Sequence, residues 1–269
     1  MSLQASFEKR VFDFKRPGGT SRGVMKQKKA WFISVWDTER PEVVGIGECS
    51  IIEGLSPDYE NDDQYEAQVK NCVENINDFE RDLGRLEHMP SLFFGIEMAL
   101  LDLKNGGKRL FFDTGFYNGD TRIPINGLIW MGEPSFMAEQ IEEKLSQGFS
   151  CIKMKIGAID FDQEISLLEV IRKDYNQNEI TLRVDANGAF SPEDAPKKLR
   201  RLASLDIHSI EQPIKPRQCN EMQALCKANH LPIALDEELI GVYDSREKRN
   251  LLDTIHPQYI ILKPSLMGG

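Results

Sequence analysis

The 269-residue chain has no stretch approaching the roughly 20 consecutive apolar residues that span a bilayer, so no membrane helix is read in it. The opening segment MSLQASFEKR has no apolar centre, which argues against a secretory signal there. Cysteine is sparse: five residues, an odd number with no CxxC pair, which points to reduced thiols in the cytoplasm and away from a zinc site. Positive charge is in deficit, with 33 Lys and Arg against 43 Asp and Glu and a net charge of −10. So acidic a chain is poorly suited to nucleic acid or to an anionic membrane surface. No GxGxxG follows the first strand candidate of the second half, which argues against a dinucleotide-binding open sheet.

What is present is the composition of an ordinary globular protein, 41% apolar and 28% charged, organised in two regimes. Over residues 1–121, AWFISVWDTE and EVVGIGECS alternate apolar and polar residues as antiparallel strands do. DYENDDQYEAQVKNCVENINDFERDL and SLFFGIEMALLDLKNG have helical spacing, the second stopping at Gly106-Gly107. Strands followed by helices predict an α+β module. Over residues 122–269 a strand-then-helix cycle recurs, with strand candidates IPINGLIW, CIKMKI, TLRVDA, HSIEQP, PIALDE and QYIILKP. The repeat predicts an α/β fold, a (β/α) barrel of the modified TIM type under an N-terminal α+β capping domain. A closed barrel has eight such units and only six are found, so the expectation is a barrel cut short after its sixth strand, part of a longer protein.

Charged residues stand near the end of each barrel strand candidate after the first: Lys153 and Lys155 in KMK, Asp185 in VDAN, Glu211 in EQP, Asp236 in LDEE and Lys263 in LKP. From Lys155 onward they are 25–30 residues apart, one βα unit each. They are therefore expected at one height, at the C-terminal mouth where barrel enzymes hold their active sites. Lys153 and Lys155 lie two apart and point the same way. A lone Asp after a strand caps a helix more often than it binds a ligand, but charged residues in five successive units are hard to ascribe to capping. Three carboxylates brought together repel unless a cation joins them. An all-oxygen donor set favours Mg²⁺, with Mn²⁺ as the alternative, and the lack of His or Cys in the set disfavours zinc. A lysine beside such a cation and a second ammonium serves as a base near neutrality, and the cation stabilises the enediolate left when a carboxylate's α-proton departs.

At these residues the sequence resembles the enolase superfamily, in its muconate-lactonizing-enzyme branch: KMK at 153–155, VDAN at 184–187, EQP at 211–213, LDEE at 235–238 and LKP at 262–264 follow one another in that family's order. That superfamily uses a lysine or histidine base together with Mg²⁺. The resemblance implies Lys155 as acid and base, Lys153 as its supporting neighbour and Lys263 as the lysine on the opposite face. It also implies Asp185, Glu211 and Asp236 as metal ligands, with Asn187 supporting the site. Glu237 competes with Asp236, but the motif aligns the Asp and strand alternation is expected to turn the Glu away. GIGECS and the helix around FFGIEMALLDL look like the family's capping domain. Two cap loops, near residues 15–24 and 50–58, are expected to meet a small-molecule carboxylate substrate through Thr20, Ser21, Arg22 and Leu55. The cap most resembles members that dehydrate a cyclohexadiene carboxylate bearing a succinyl group. Racemases and epimerases of N-acylamino acids or dipeptides, muconate cycloisomerases and a non-catalytic binding module remain open alternatives. Oligomeric state is not readable.

Overall fold

The computed structural model describes residues 2–20 and 23–269, with the backbone only for Gly19 and Thr20. The first half is a three-stranded antiparallel sheet, ordered β1 (Leu3–Thr20), β2 (Gly23–Asp37) and β3 (Arg40–Ser50). Period-2 alternation on β2 sends Trp31, Ile33 and Val35 into a core shared with α1 (Asp62–Glu74), α2 (Ile76–Arg81) and α3 (Pro90–Lys104). The single helical stretch expected over residues 58–83 breaks at Asn75, giving α1 and α2. Helix α3 starts on Pro90 and is fastened by buried Asp58, whose Oδ2 accepts from the backbone of Ser91 at 2.9 Å and from its hydroxyl at 2.6 Å. It ends at Lys104, just before the Gly106-Gly107 stop read in the sequence.

The glycines of GIGECS have a steric reason. Helix α3 lies directly on β3, and a Cβ at Gly47 would run into the carbonyl oxygen of Gly95. The expected cap loop near residues 15–24 falls at the far end of a hairpin: β1 and β2 pair from Leu3↔Asp37 out to Thr20↔Gly23, with a break in register between Asp13 and Gly18.

The second half is a six-stranded parallel sheet whose strands follow chain order: β4 (Gly127–Ile129), β5 (Cys151–Lys155), β6 (Thr181–Asp185), β7 (Ser209–Glu211), β8 (Ile233–Leu235) and β9 (Tyr259–Ile260). Each expected strand is found, although IPINGLIW contributes only its last part. The connections run through α4 (Pro134–Ser146), α5 (Phe161–Asp174), α6 (Ala195–Ala203), α7 (Cys219–Ala228) and α8 (Ser245–Ile255), and α9 (Pro264–Met267) follows β9. Ile152, Met154, Leu182, Val184 and Ile210 pack with the helices into one core. Among the described residues no pairing joins β9 to β4, so the sheet is an arc of barrel type. Helix α9 packs against α3, joining the arc to the cap.

Gly47→Ala is expected to destabilise the protein by about 1–3 kcal/mol, because the new methyl meets backbone that cannot swing aside. Urea unfolding measures it; an unchanged midpoint would contradict the contact between β3 and α3.

Candidate active site

Three neighbouring strand ends set the chemistry side by side. In the parallel register Lys155 of β5 lies opposite Asp185 of β6, and Asp185 lies opposite Glu211 of β7. Ile152 and Met154 are buried among the helices, so alternation turns Lys153 and Lys155 to the inner side. The expectation of one common height holds for these strands only. Glu211 pairs with Ala234, which leaves Asp236 two residues further along, past the end of β8; Leu235 pairs with Ile260, which leaves Lys263 beyond β9. Even spacing in sequence thus becomes a staggered rim, since strands of a barrel-type sheet are sheared past one another.

Carboxylates and ammonium groups interleave along that rim. Lys153 Nζ is 3.0 Å from Asp185 Oδ2 and 2.5 Å from Glu211 Oε2. Lys155 Nζ is 3.1 Å from Asp185 Oδ2 and donates to Asn187 Oδ1 at 2.6 Å, and Lys263 Nζ pairs with Asp236 Oδ2. The carboxylates are almost wholly buried, with Asp185 and Asp236 each 1% exposed and Glu211 5%. Burial acts to raise the Asp185 carboxyl, but the ammonium groups of Lys153 and Lys155 outweigh it and hold it below the usual carboxylate range. Glu211 goes the other way: burial and then the charge of Asp185 push it up to about 7, against the pull of Lys153. For Lys153 burial favours the neutral amine, yet Asp185 and Glu211 prevail and its pKa is raised.

Among the described residues no three His, Cys, Asp or Glu side chains converge at metal-binding distance. The lysines account for this, Lys153 lying between Asp185 and Glu211 while Lys263 takes Asp236. The donor set still suits a hard divalent cation. It is all oxygen, comes from adjacent strand ends, and repels itself strongly enough that both Asp185 and Asp236 raise Glu211.

The loops behind the rim are tightly fixed. Gln212, fully buried and at φ +39°, accepts from the backbone N–H groups of Asp236 and Glu238 at 3.2 Å each. Its amide donates to Ile214 O at 3.0 Å and to Glu238 Oε2 at 3.1 Å. This side chain therefore ties the end of β7, with Glu211, to the end of β8, with Asp236. Buried Glu164 accepts from the backbone of Gly157 at 2.6 Å and so holds the turn that follows Lys155. Gly157 stands at φ +94°, where a Cβ would strike Ala189. Neither Gln212 nor Glu164 was singled out from the sequence. Gln212 lay within the EQP motif, whereas Glu164 carried only the weak signal of an acid in the first turn after a Gly.

Lys155, Asn187, Glu237 and Lys263 line a cleft of ≈ 1030 Å³. Its other walls are Phe14, Pro17 and residues 23–29 of the hairpin, Ile52 and Leu55 of the second cap loop, and Trp130 beyond β4. Leu55 and Asn187 are thus both on the cleft wall. Glu237 corrects the reading: it faces the cleft and accepts from Asn187 Nδ2 at 3.0 Å, because β8 ends at Leu235 and strand alternation no longer applies. Thr20 closes the hairpin pairing through its backbone, its side chain being outside the description, and Ser21 and Arg22 lie outside the described residues.

A barrel-type arc with lysines and acids at its strand ends, beside an α+β cap, has the arrangement of a barrel enzyme whose active site lies at the strand ends. The chain belongs to the enolase superfamily: residues 136–269 match the family described as Enolase C-terminal domain-like. It is 45% identical to o-succinylbenzoate synthase of Desulfotalea psychrophila, over 99% of this chain and 80% of that protein. The crystal structure of MenC from the same organism superposes with a TM-score of 0.84 at 40% identity, over 100% of this chain and 80% of that one. At 21% identity, o-succinylbenzoate synthase from Thermosynechococcus elongatus, complexed with Mg in its active site, shares the fold with a TM-score of 0.78 over 98% of this chain and 77% of that one. L-Ala-D/L-Glu epimerase of Bacillus subtilis matches at 30% identity over 65% of this chain and 47% of its own length. The chain is thus a homologue of o-succinylbenzoate synthase, a lyase of the superfamily.

Gln212→Ala removes the tie between β7 and β8 and leaves buried backbone N–H groups unmatched. An unfolding loss of about 1–3 kcal/mol is expected. Chemical denaturation checks it; wild-type stability would show that the Gln212 bridge is dispensable.

Proposed function

We propose that this protein dehydrates 2-succinyl-6-hydroxy-2,4-cyclohexadiene-1-carboxylate to o-succinylbenzoate, a step of menaquinone biosynthesis, in the cytoplasm. The observation that carries the reading is that Lys155 and Lys263 line one cleft, beside buried acids in the order of the superfamily motif. The five cysteines form no disulfide, which suits a reducing compartment, and no described helix is long and apolar enough to cross a membrane.

Asp185, Glu211 and Asp236 would hold Mg²⁺, or Mn²⁺ in its place. When bound, the ion supplies positive charge against the substrate carboxylate, which acidifies the adjacent C–H. Lys155 takes the proton at the carbon α to that carboxylate. Asn187 Oδ1, at 2.6 Å from Nζ, orients the amine, and Asn187 is steadied in turn by Glu237. The hydroxyl on the neighbouring ring carbon then leaves with the proton that Lys155 returns, so water departs and the ring becomes aromatic. Lys153 stays cationic between Asp185 and Glu211 and helps hold the substrate carboxylate. Lys263, paired with Asp236, attracts the anionic ring from the other face. A racemase or epimerase would use the same two lysines as a pair of bases, one on each face, which their shared cleft also allows.

Lys155→Ala is expected to lower kcat by about 10²–10⁴-fold or more, in a protein that still folds but unfolds more readily because buried Asp185 loses one of its two ammonium partners. Asp185→Asn, Glu211→Gln and Asp236→Asn should each weaken Mg²⁺ binding about tenfold or more, read by calorimetric titration. Turnover at the wild-type rate in Lys155→Ala, or racemisation of dipeptides in preference to dehydration, would refute this assignment.

A further inference from the structure

The hairpin wall of the cleft carries Lys26, Lys28 and Lys29 of β2. Lys29 is committed to the cap: its Nζ is 2.7 Å from Glu53 and 3.1 Å from Asp62. Lys28 has only a long contact, 3.7 Å to Glu48, and Lys26 makes no ion pair among the described residues. The acids on the same wall are engaged, since Glu53 holds Lys29 and Asp13 accepts from Gln27 Nε2 at 2.7 Å.

Lys26 and Lys28 are two apart on one strand, so they project from the same face about 7 Å from each other. Lys26 falls where the pairing of β1 and β2 breaks between Asp13 and Gly18, the extra residues being on β1. In a protein of net charge −10, two weakly compensated ammonium groups on a cleft wall form a local attractor for anions. The same cleft is also lined by Phe14, Leu55 and Trp130, which suit hydrocarbon.

We propose that Lys26 and Lys28 receive a second carboxylate, carried on a side arm of the substrate, so that the cleft selects dicarboxylates. This rests on the substrate assigned above, in which the succinyl arm would supply that carboxylate. A dipeptide with an ammonium group at its far end would meet like charge there, which disfavours it.

The test compares wild type with the Lys26→Ala/Lys28→Ala and Lys26→Arg/Lys28→Arg double variants. It reads kcat and KM for dehydration, and calorimetric binding of o-succinylbenzoate beside benzoate, which lacks the arm. The alanine pair should raise KM about 10–100-fold. It should leave kcat within about threefold of wild type. The arginine pair should restore KM, and the alanine pair should weaken o-succinylbenzoate far more than benzoate. An unchanged KM, or equal loss for both ligands, would overturn the proposal. Should wild type fail to dehydrate the substrate, the assigned reaction falls, and the two titrations still decide the lysines.

Discussion

The structure depends most on the interleaving of buried carboxylates with lysine ammonium groups along the strand ends of a parallel sheet. Asp185, Glu211 and Asp236 are nearly removed from water, where like charges in proximity would drive one another to the neutral acid. Lys153 and Lys155 keep Asp185 ionised, whereas Glu211, facing Asp185 as well as Lys153, is pushed up. Such an all-oxygen set suits a hard divalent cation, as the proposed reaction requires. The register that brings Lys155, Asp185 and Glu211 abreast is what makes this balance available to a substrate carboxylate.

The cap completes the site. Its hairpin, with Phe14, Lys26 and Lys28, and its second loop, with Leu55, wall the cleft that Lys155 and Lys263 also line, together with Trp130 of the barrel half. The cap is itself anchored by Asp58 at the start of α3, by the glycines that let α3 lie on β3, and by α9 against α3. In the proposed reaction the strand ends carry the proton chemistry and the cap meets the substrate's side arm.

The strand ends were legible because each acid or lysine follows an apolar run at a regular interval, a pattern that local propensity and spacing both express. Three features were not. β1 went unread because Val11 and Phe12 are adjacent and both exposed, so its outer half carries no alternation. The orientation of Glu237 was misjudged because alternation was extended past the end of β8. Gln212 and Glu164 act through contacts with backbone distant in sequence, which neither composition nor periodicity records. The stagger of Asp236 and Lys263 likewise comes from the shear of the sheet and not from spacing.

The most direct measurement is the rate of dehydration, with Mg²⁺ present, of the succinyl cyclohexadiene carboxylate carrying deuterium at the carbon α to the ring carboxylate. The account predicts turnover that is slowed by the deuterium, lost on chelation of the metal and restored when the metal is returned. Turnover at the same rate for both isotopes after chelation, or no turnover at all, would contradict it.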